Sequence, residues 1–153
     1  PRQFAFMVIS DSTYAFVHYL TEANVLLITW RMKPDTEQFR NLYWQVLQYV
    51  KTNPKICYYC TDISQIGPLD AEEEAWLSRE YYPQVYEIIG KDIYAAVIFS
   101  EGHFKALVNN YIASYSLPQH EFIHFNYFTA IEEAMEWLMY MQKGQDLAII
   151  AES

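Results

Sequence analysis

Glycine is scarce, with 4 in 153 residues. Neither a GxGxxG turn nor a Walker loop can be assembled, which excludes the two commonest ways a backbone cradles phosphate. Positive charge is also scarce: 10 Lys and Arg face 19 Asp and Glu, for a formal net charge of −9. A surface of that sign repels phosphate backbones, so nucleic acid is not an expected partner, nor is a polybasic membrane contact. No apolar run approaches the roughly 18 to 20 residues that a membrane span requires. No basic segment followed by an apolar one opens the chain, so no signal peptide is expected. GxSxG and HExxH do not occur, which removes two hydrolase signatures.

Cysteine is limited to Cys57 and Cys60, within ICYYCTDI. A CxxC invites a redox or zinc reading. This one lies in a strand-like run, where residues three apart point to opposite faces. A redox pair sits where a helix begins, and a zinc site would need a second pair. Structural thiols in a reducing, cytoplasmic setting are expected, with no metal and no cofactor.

What is present is apolar and aromatic. Hydrophobic residues make up 52% and charged residues 19%, a globular balance, and the length suits one core. Tyrosine occurs 14 times. Such rings can thicken a core, line a ligand pocket or build an interface, and a self-complementary aromatic patch would make a homodimer.

Three short strand-like runs open the chain: residues 4–10, 13–20 and 25–31, the second alternating. Short turns at Asp11-Ser12 and Thr21–Asn24 make them an antiparallel meander. Asp35 with Gln38 three residues on predicts a capped helix, whose apolar stripe is Phe39, Leu42, Val46, Leu47 and Val50. Asn53-Pro54 ends it, and residues 56–62 read as a strand buried on both faces. Asp70 opens a second helix closed by Gly90, with Pro83 inside it predicting a kink or split near Tyr82. Residues 93–100 form the next strand, a helix carries Phe104, Leu107, Val108, Tyr111, Ile112 and Tyr115, and 121–125 are a shorter strand. Thr129 and Glu132 predict a capping box on a last helix that ends at Gly144. The expected fold is α/β: a mixed β-sheet with an N-terminal antiparallel meander followed by βα units, helices packed on the sheet. One domain spans 1–143, and 144–153 form a tail.

Candidate chemistry is thin. His120 and His124, four apart on an extended stretch, are too far apart along a strand for one metal and read as histidines each satisfied by a hydrogen bond. His18 carries no motif, His103 sits in a first helical turn, and Glu121 stands alone on its strand. Glu72, Glu73 and Glu74 occupy the first turn of a helix, where the dipole favours carboxylates. A paired-carboxylate acid/base site would need a second carboxylate held close by.

The element order, the DIS at residues 62–64 and the WLSREYYPQV segment together resemble the STAS fold, also called SpoIIAA-like, and within it the small bacterial STAS/SEC14-like proteins of largely unassigned function. The resemblance runs from the first hairpin to about Met141. On it, Asp62, Ile63 and Ser64 match the family's Asp-Leu-Ser, and Asp70 matches the Asp before the phosphoacceptor. Ala71 and Glu72 then take the two serine positions and Glu73 the glycine, so no hydroxyl is left to phosphorylate. Glu72 reads either as a fixed charge in place of phosphate or as a helix-start residue.

The resemblance implies a non-catalytic module that binds a protein partner through the loop and helix start: Asp62, Ser64, Asp70, Glu72, Glu73 and Trp76, the last an anchor or a core residue. The alternative is a carrier of a small apolar ligand or lipid, with Tyr81, Tyr82, Tyr86, Tyr111 and Tyr115 as its pocket or simply packed together. An enzyme built on Glu72 or His103 is the third reading.

Overall fold

The computed structural model describes residues 5–103 and 120–152. Strands β1 (Phe6–Asp11), β2 (Ala15–Leu20) and β3 (Val25–Trp30) form the meander. Helix α1 (Thr36–Thr52) leads to β4 (Tyr58–Asp62). Helix α2 (Ala71–Trp76), a π-helical turn (Leu77–Tyr81) and α3 (Tyr82–Ile89) run on to β5 (Ile93–Ile98). Strand β6 (Ile123–Phe128) and helix α4 (Ile131–Glu152) complete the order. The sheet is mixed, ordered β1-β2-β3-β4-β5-β6, antiparallel through β3 and parallel from β3 onward. This is the α/β architecture expected from the sequence. The helix expected over residues 104–118, with Tyr111 and Tyr115, lies outside the described residues.

Each crossover moves one strand in the same direction. With right-handed connections, α1 and the α2–α3 segment must then cover the same face. The core on that side joins Val17, Ile28 and Trp30 of the sheet to Phe39, Val46 and Val50 of α1 and to Trp76, Leu77, Tyr81 and Val85. The second face is covered by α4, whose Ala134 and Leu138 pack with Leu27, Tyr58, Cys60, Tyr94 and Ala96.

The capping box of α1 is complete. Gln38 N–H donates to Asp35 Oδ1 at 2.8 Å and Asp35 N–H to Gln38 Oε1 at 2.9 Å. All five residues of the expected apolar stripe are buried. Gly90 caps α3 in the left-handed region, at φ 67°.

Pro83 acts one turn earlier than a simple kink at its own position. A proline in an α-helix lacks the N–H for the carbonyl four residues back and clashes with it. Here the helix widens over Leu77–Tyr81, and Tyr82 N–H reaches back to Leu77 O, an i to i−5 bond. The wide turn accommodates Pro83 at the start of α3.

Three sequence expectations are corrected. The last strand is Ile123–Phe128, a few residues later than 121–125, because its register with β5 pairs Ile93 with Ile123 and Ile98 with Phe128. The last helix starts at Ile131 and passes through Gly144 to Glu152. A mid-helix glycine costs only about 1 kcal/mol relative to alanine, and Gln145 Nε2 donates to Tyr94 OH at 2.5 Å just beyond it. Cys57 and Cys60 do not diverge: Cys57 precedes β4, and both thiols are buried in the layer under α4, with no disulfide. Burial, then Asp62, pushes the Cys60 thiol up to about 12, so it stays protonated and unreactive.

Replacing Asp35 by Ala should remove the side-chain acceptor of the Gln38 N–H, leaving the backbone N–H of residue 35 to donate to Gln38 Oε1, and lower stability by about 1 kcal/mol. Equilibrium urea unfolding measures it, as a lower midpoint with an unchanged slope.

Candidate functional site

The loop after β4 and the start of α2 sit at the carboxyl ends of the parallel strands, where open α/β sheets place their ligand sites. In such sheets the crevice forms where the strand order reverses and neighbouring helices go to opposite faces. Strands β3 to β6 follow in strict order, so this half of the sheet has no such reversal.

The loop is held by its own residues. Asp62 Oδ1 accepts from Ser64 N–H at 2.9 Å and from Ser64 Oγ at 2.6 Å. Ile63 N–H donates to Ile98 O at 2.8 Å, tying the loop to the end of β5. Gly67 has φ +80°, and a Cβ there would lie 3.5 Å from the His103 ring. His103 Nδ1 is 2.6 Å from Ser100 Oγ, a contact between residues three apart at a helix start. Asp62 and Ser64 are thus a loop clasp facing each other.

Asp70 sits at the N-cap of α2 with extended backbone but makes no capping bond through its side chain. Its carboxylate faces Lys33 Nζ at 3.4 Å, an exposed pair of small energetic weight. The three glutamates that follow point three ways. Glu72 is exposed. Glu73 is buried, 5% exposed. Burial, then Asp70, raises its carboxyl above the ordinary 4.5, against the opposing pull of the Asp70 backbone, Lys33 and Arg40. Glu74 is half-buried and raised by burial as well.

Glu72 lines an open groove of about 520 Å³ together with Arg40, Ala75, Trp76, Arg79 and Glu80. Residues 72, 75, 76, 79 and 80 follow helical spacing through the π-helical turn, and α1 supplies Arg40 from across. The Arg40 guanidinium lies 5.3 Å from the centre of the Trp76 ring. Arg40 Nε is buried and has no hydrogen-bond partner among the described residues. Trp76 is 9% exposed and belongs to the core. It forms the floor of the groove, with two arginines and two glutamates around it.

The tyrosines take other positions. Tyr81 is buried, stacked on Trp76 at 5.9 Å and set edge-on to Tyr43 at 4.9 Å. Tyr82 lies against Tyr81 and Phe125. Tyr86 is on the surface, stacked on Phe122 at 4.2 Å. Tyr81 and Tyr82 contact each other, whereas Tyr86 pairs with Phe122. Burial raises the phenols of Tyr43, Tyr59, Tyr81 and Tyr82 far above neutrality, so they are hydroxyls and not phenolates.

His120 Nε2 contacts Ser78 O at 2.6 Å, and His124 Nε2 contacts Asp92 Oδ2 at 2.8 Å. Each is satisfied singly, as the sequence suggested. No group of three or more metal-ligating side chains gathers among the described residues. Sequence reasoning missed Arg40, Arg79 and Glu80. The spacing from Glu72 to Arg79 and Glu80 was a readable signal; the approach of Arg40 from another helix was not.

Glu73→Gln should stabilise the protein at neutral pH. A raised carboxyl binds its proton more tightly in the folded state, so stability falls as pH rises from the ordinary 4.5 through the folded value. The variant's higher Tm at pH 7 should therefore shrink on acidification and vanish below the ordinary carboxylate range, which thermal unfolding across pH will measure.

Comparison with protein-family models, with curated proteins and with solved structures found no match to this chain.

Proposed function

We propose that this chain is a non-catalytic, cytoplasmic regulatory or binding module of STAS-like type that works without a phosphorylatable serine. The observation that carries the reading is the groove over Trp76. It is open, it lies at the start of α2, and it presents Glu72 and Glu80 beside Arg40 and Arg79. A shallow site with mixed charges on a rigid aromatic floor suits a protein surface better than an enclosed small molecule.

Glu72 holds the position that the resemblance gives to the phosphoacceptor, and its carboxylate stands on the same groove as two arginines. That favours a constitutive charge contributing to the recognition surface over a residue that only starts a helix. A partner would offer a flat surface carrying both charge signs, with an apolar or aromatic group to set over Trp76. The absence of a helix long and apolar enough to span a membrane, among the described residues, agrees with action away from the bilayer interior.

Native mass spectrometry of freshly purified protein, repeated after denaturation, should show protein mass alone in both states, with no small molecule lost between them. A small molecule lost on denaturation would overturn the reading in favour of a carrier. Reversing the groove with Glu72→Arg and Arg79→Glu should cut the affinity for a captured partner by about tenfold or more, because like charges then face each other across the contact. Unchanged binding would remove the groove from the interface.

A further inference from the structure

Among the described residues strand β1 is an edge of the sheet, paired on one side with β2. Natural edge strands are usually blunted by lysine, proline or inward charge. Between Phe6 and Ser10 this strand has none of these. Its one irregularity, the bulge between Val8 and Ser10, leaves the first three residues regular. Those three are large, apolar and exposed: Phe6 54%, Met7 54% and Val8 55%.

The backbone specifies what can add here. Ala5 O accepts from Thr21 N–H at 3.2 Å, so Ala5 points its hydrogen-bonding groups at β2. In an antiparallel ladder these directions alternate, so Met7 also points inward, while Phe6 and Val8 turn their N–H and C=O groups outward. Two outward residues separated by one inward residue form a self-complementary pattern. A second copy running antiparallel places Phe6 opposite Val8 of the other copy twice over, exchanging four backbone hydrogen bonds about a two-fold axis through Met7.

The side chains fit the same register. Phe6 and Val8 share a face with Phe16 and His18, as their pairing to Leu20 and His18 requires. Phe6 already lies edge-on to His18 at 5.2 Å. In the two-fold arrangement Phe6 meets Val8 of the other copy on this face, extending an aromatic patch that α4, packed on β4, β5 and β6, leaves open. Met7 meets its own counterpart on the opposite face, beside Tyr49, whose hydroxyl contacts Met7 Sδ at 3.7 Å. Charge agrees as well. In a chain of net charge −9, pairing residues 5–9 with themselves brings no like charges face to face.

We propose that β1 pairs antiparallel with β1 of a second copy, joining two six-stranded sheets into one continuous sheet with Met7 on the dyad. The occupant of this edge is another copy of the chain.

The test is the mass of the full chain in solution, by sedimentation equilibrium over a concentration series. Wild type should be a dimer. Met7→Lys and Met7→Asp each place like charges directly opposite across the dyad and should weaken dimerisation by about tenfold or more. An equimolar mixture of the two variants should recover a heterodimer, because unlike charges then face each other. Circular dichroism of each variant checks that the monomer is folded. A wild type that stays monomeric overturns the proposal and leaves the edge to a strand from another protein. Variants that remain as dimeric as wild type overturn it too, as does a folded mixture that fails to recover the dimer.

Discussion

The fold depends on one continuous aromatic contact. Trp30 at the end of β3 stacks on Phe39 of α1 at 5.6 Å. Phe39 meets Tyr43, Tyr43 meets Tyr81, and Tyr81 stacks on Trp76. The chain passes from the sheet through α1 to α2 and the π-helical turn. Large rings bury more area than any aliphatic side chain and hold preferred geometries, so they fix position as well as contribute stability. It sets α1 and the α2–α3 segment on this face, and with them the groove over Trp76.

The π-helical turn belongs to the same constraint. Trp76 and Tyr81 stack with an interplanar angle of 26° although they are five residues apart. In a regular α-helix, neighbours on one face are three or four apart. The wide turn brings residue i+5 round to the position over residue i, and Pro83 makes that turn the cheaper path for the chain. One residue with no N–H thereby sets where the core tyrosine lands and how the groove above it is shaped.

The strand order sets the second boundary condition. With the parallel strands in strict sequence, α1 and the α2–α3 segment share one face of the sheet. Among the described residues the other face is covered by α4, which reaches β4, β5 and β6. The meander's share of that face carries Phe16 and His18 half-buried and Phe6 and Val8 exposed. Burial lowers the His18 imidazole below its ordinary value, and its Nδ1 has no partner among the described residues. It therefore contributes to this patch as a neutral ring stacked on Phe16 at 4.6 Å.

The sequence by itself determined the local elements. The Asp35–Gln38 box, the stripe from Phe39 to Val50, the Gly90 cap and the order of the described strands and helices were all legible, because each follows from contacts within a few residues. It also determined that Pro83 would disturb its helix. It could not determine the form of the disturbance, because a kink and a wide turn differ only in which packing they allow. Tertiary structure alone decided that Glu73 is buried while Glu72 is exposed, and that Tyr81 joins the core while Tyr86 stays on the surface. It alone brought Arg40 of one helix over Trp76 of another, and left β1 with an apolar free edge. A carboxylate at a helix start, a tyrosine in a helix and an apolar strand read alike in any sequence. Their burial depends on what the rest of the chain packs against them, and those neighbours are distant in sequence.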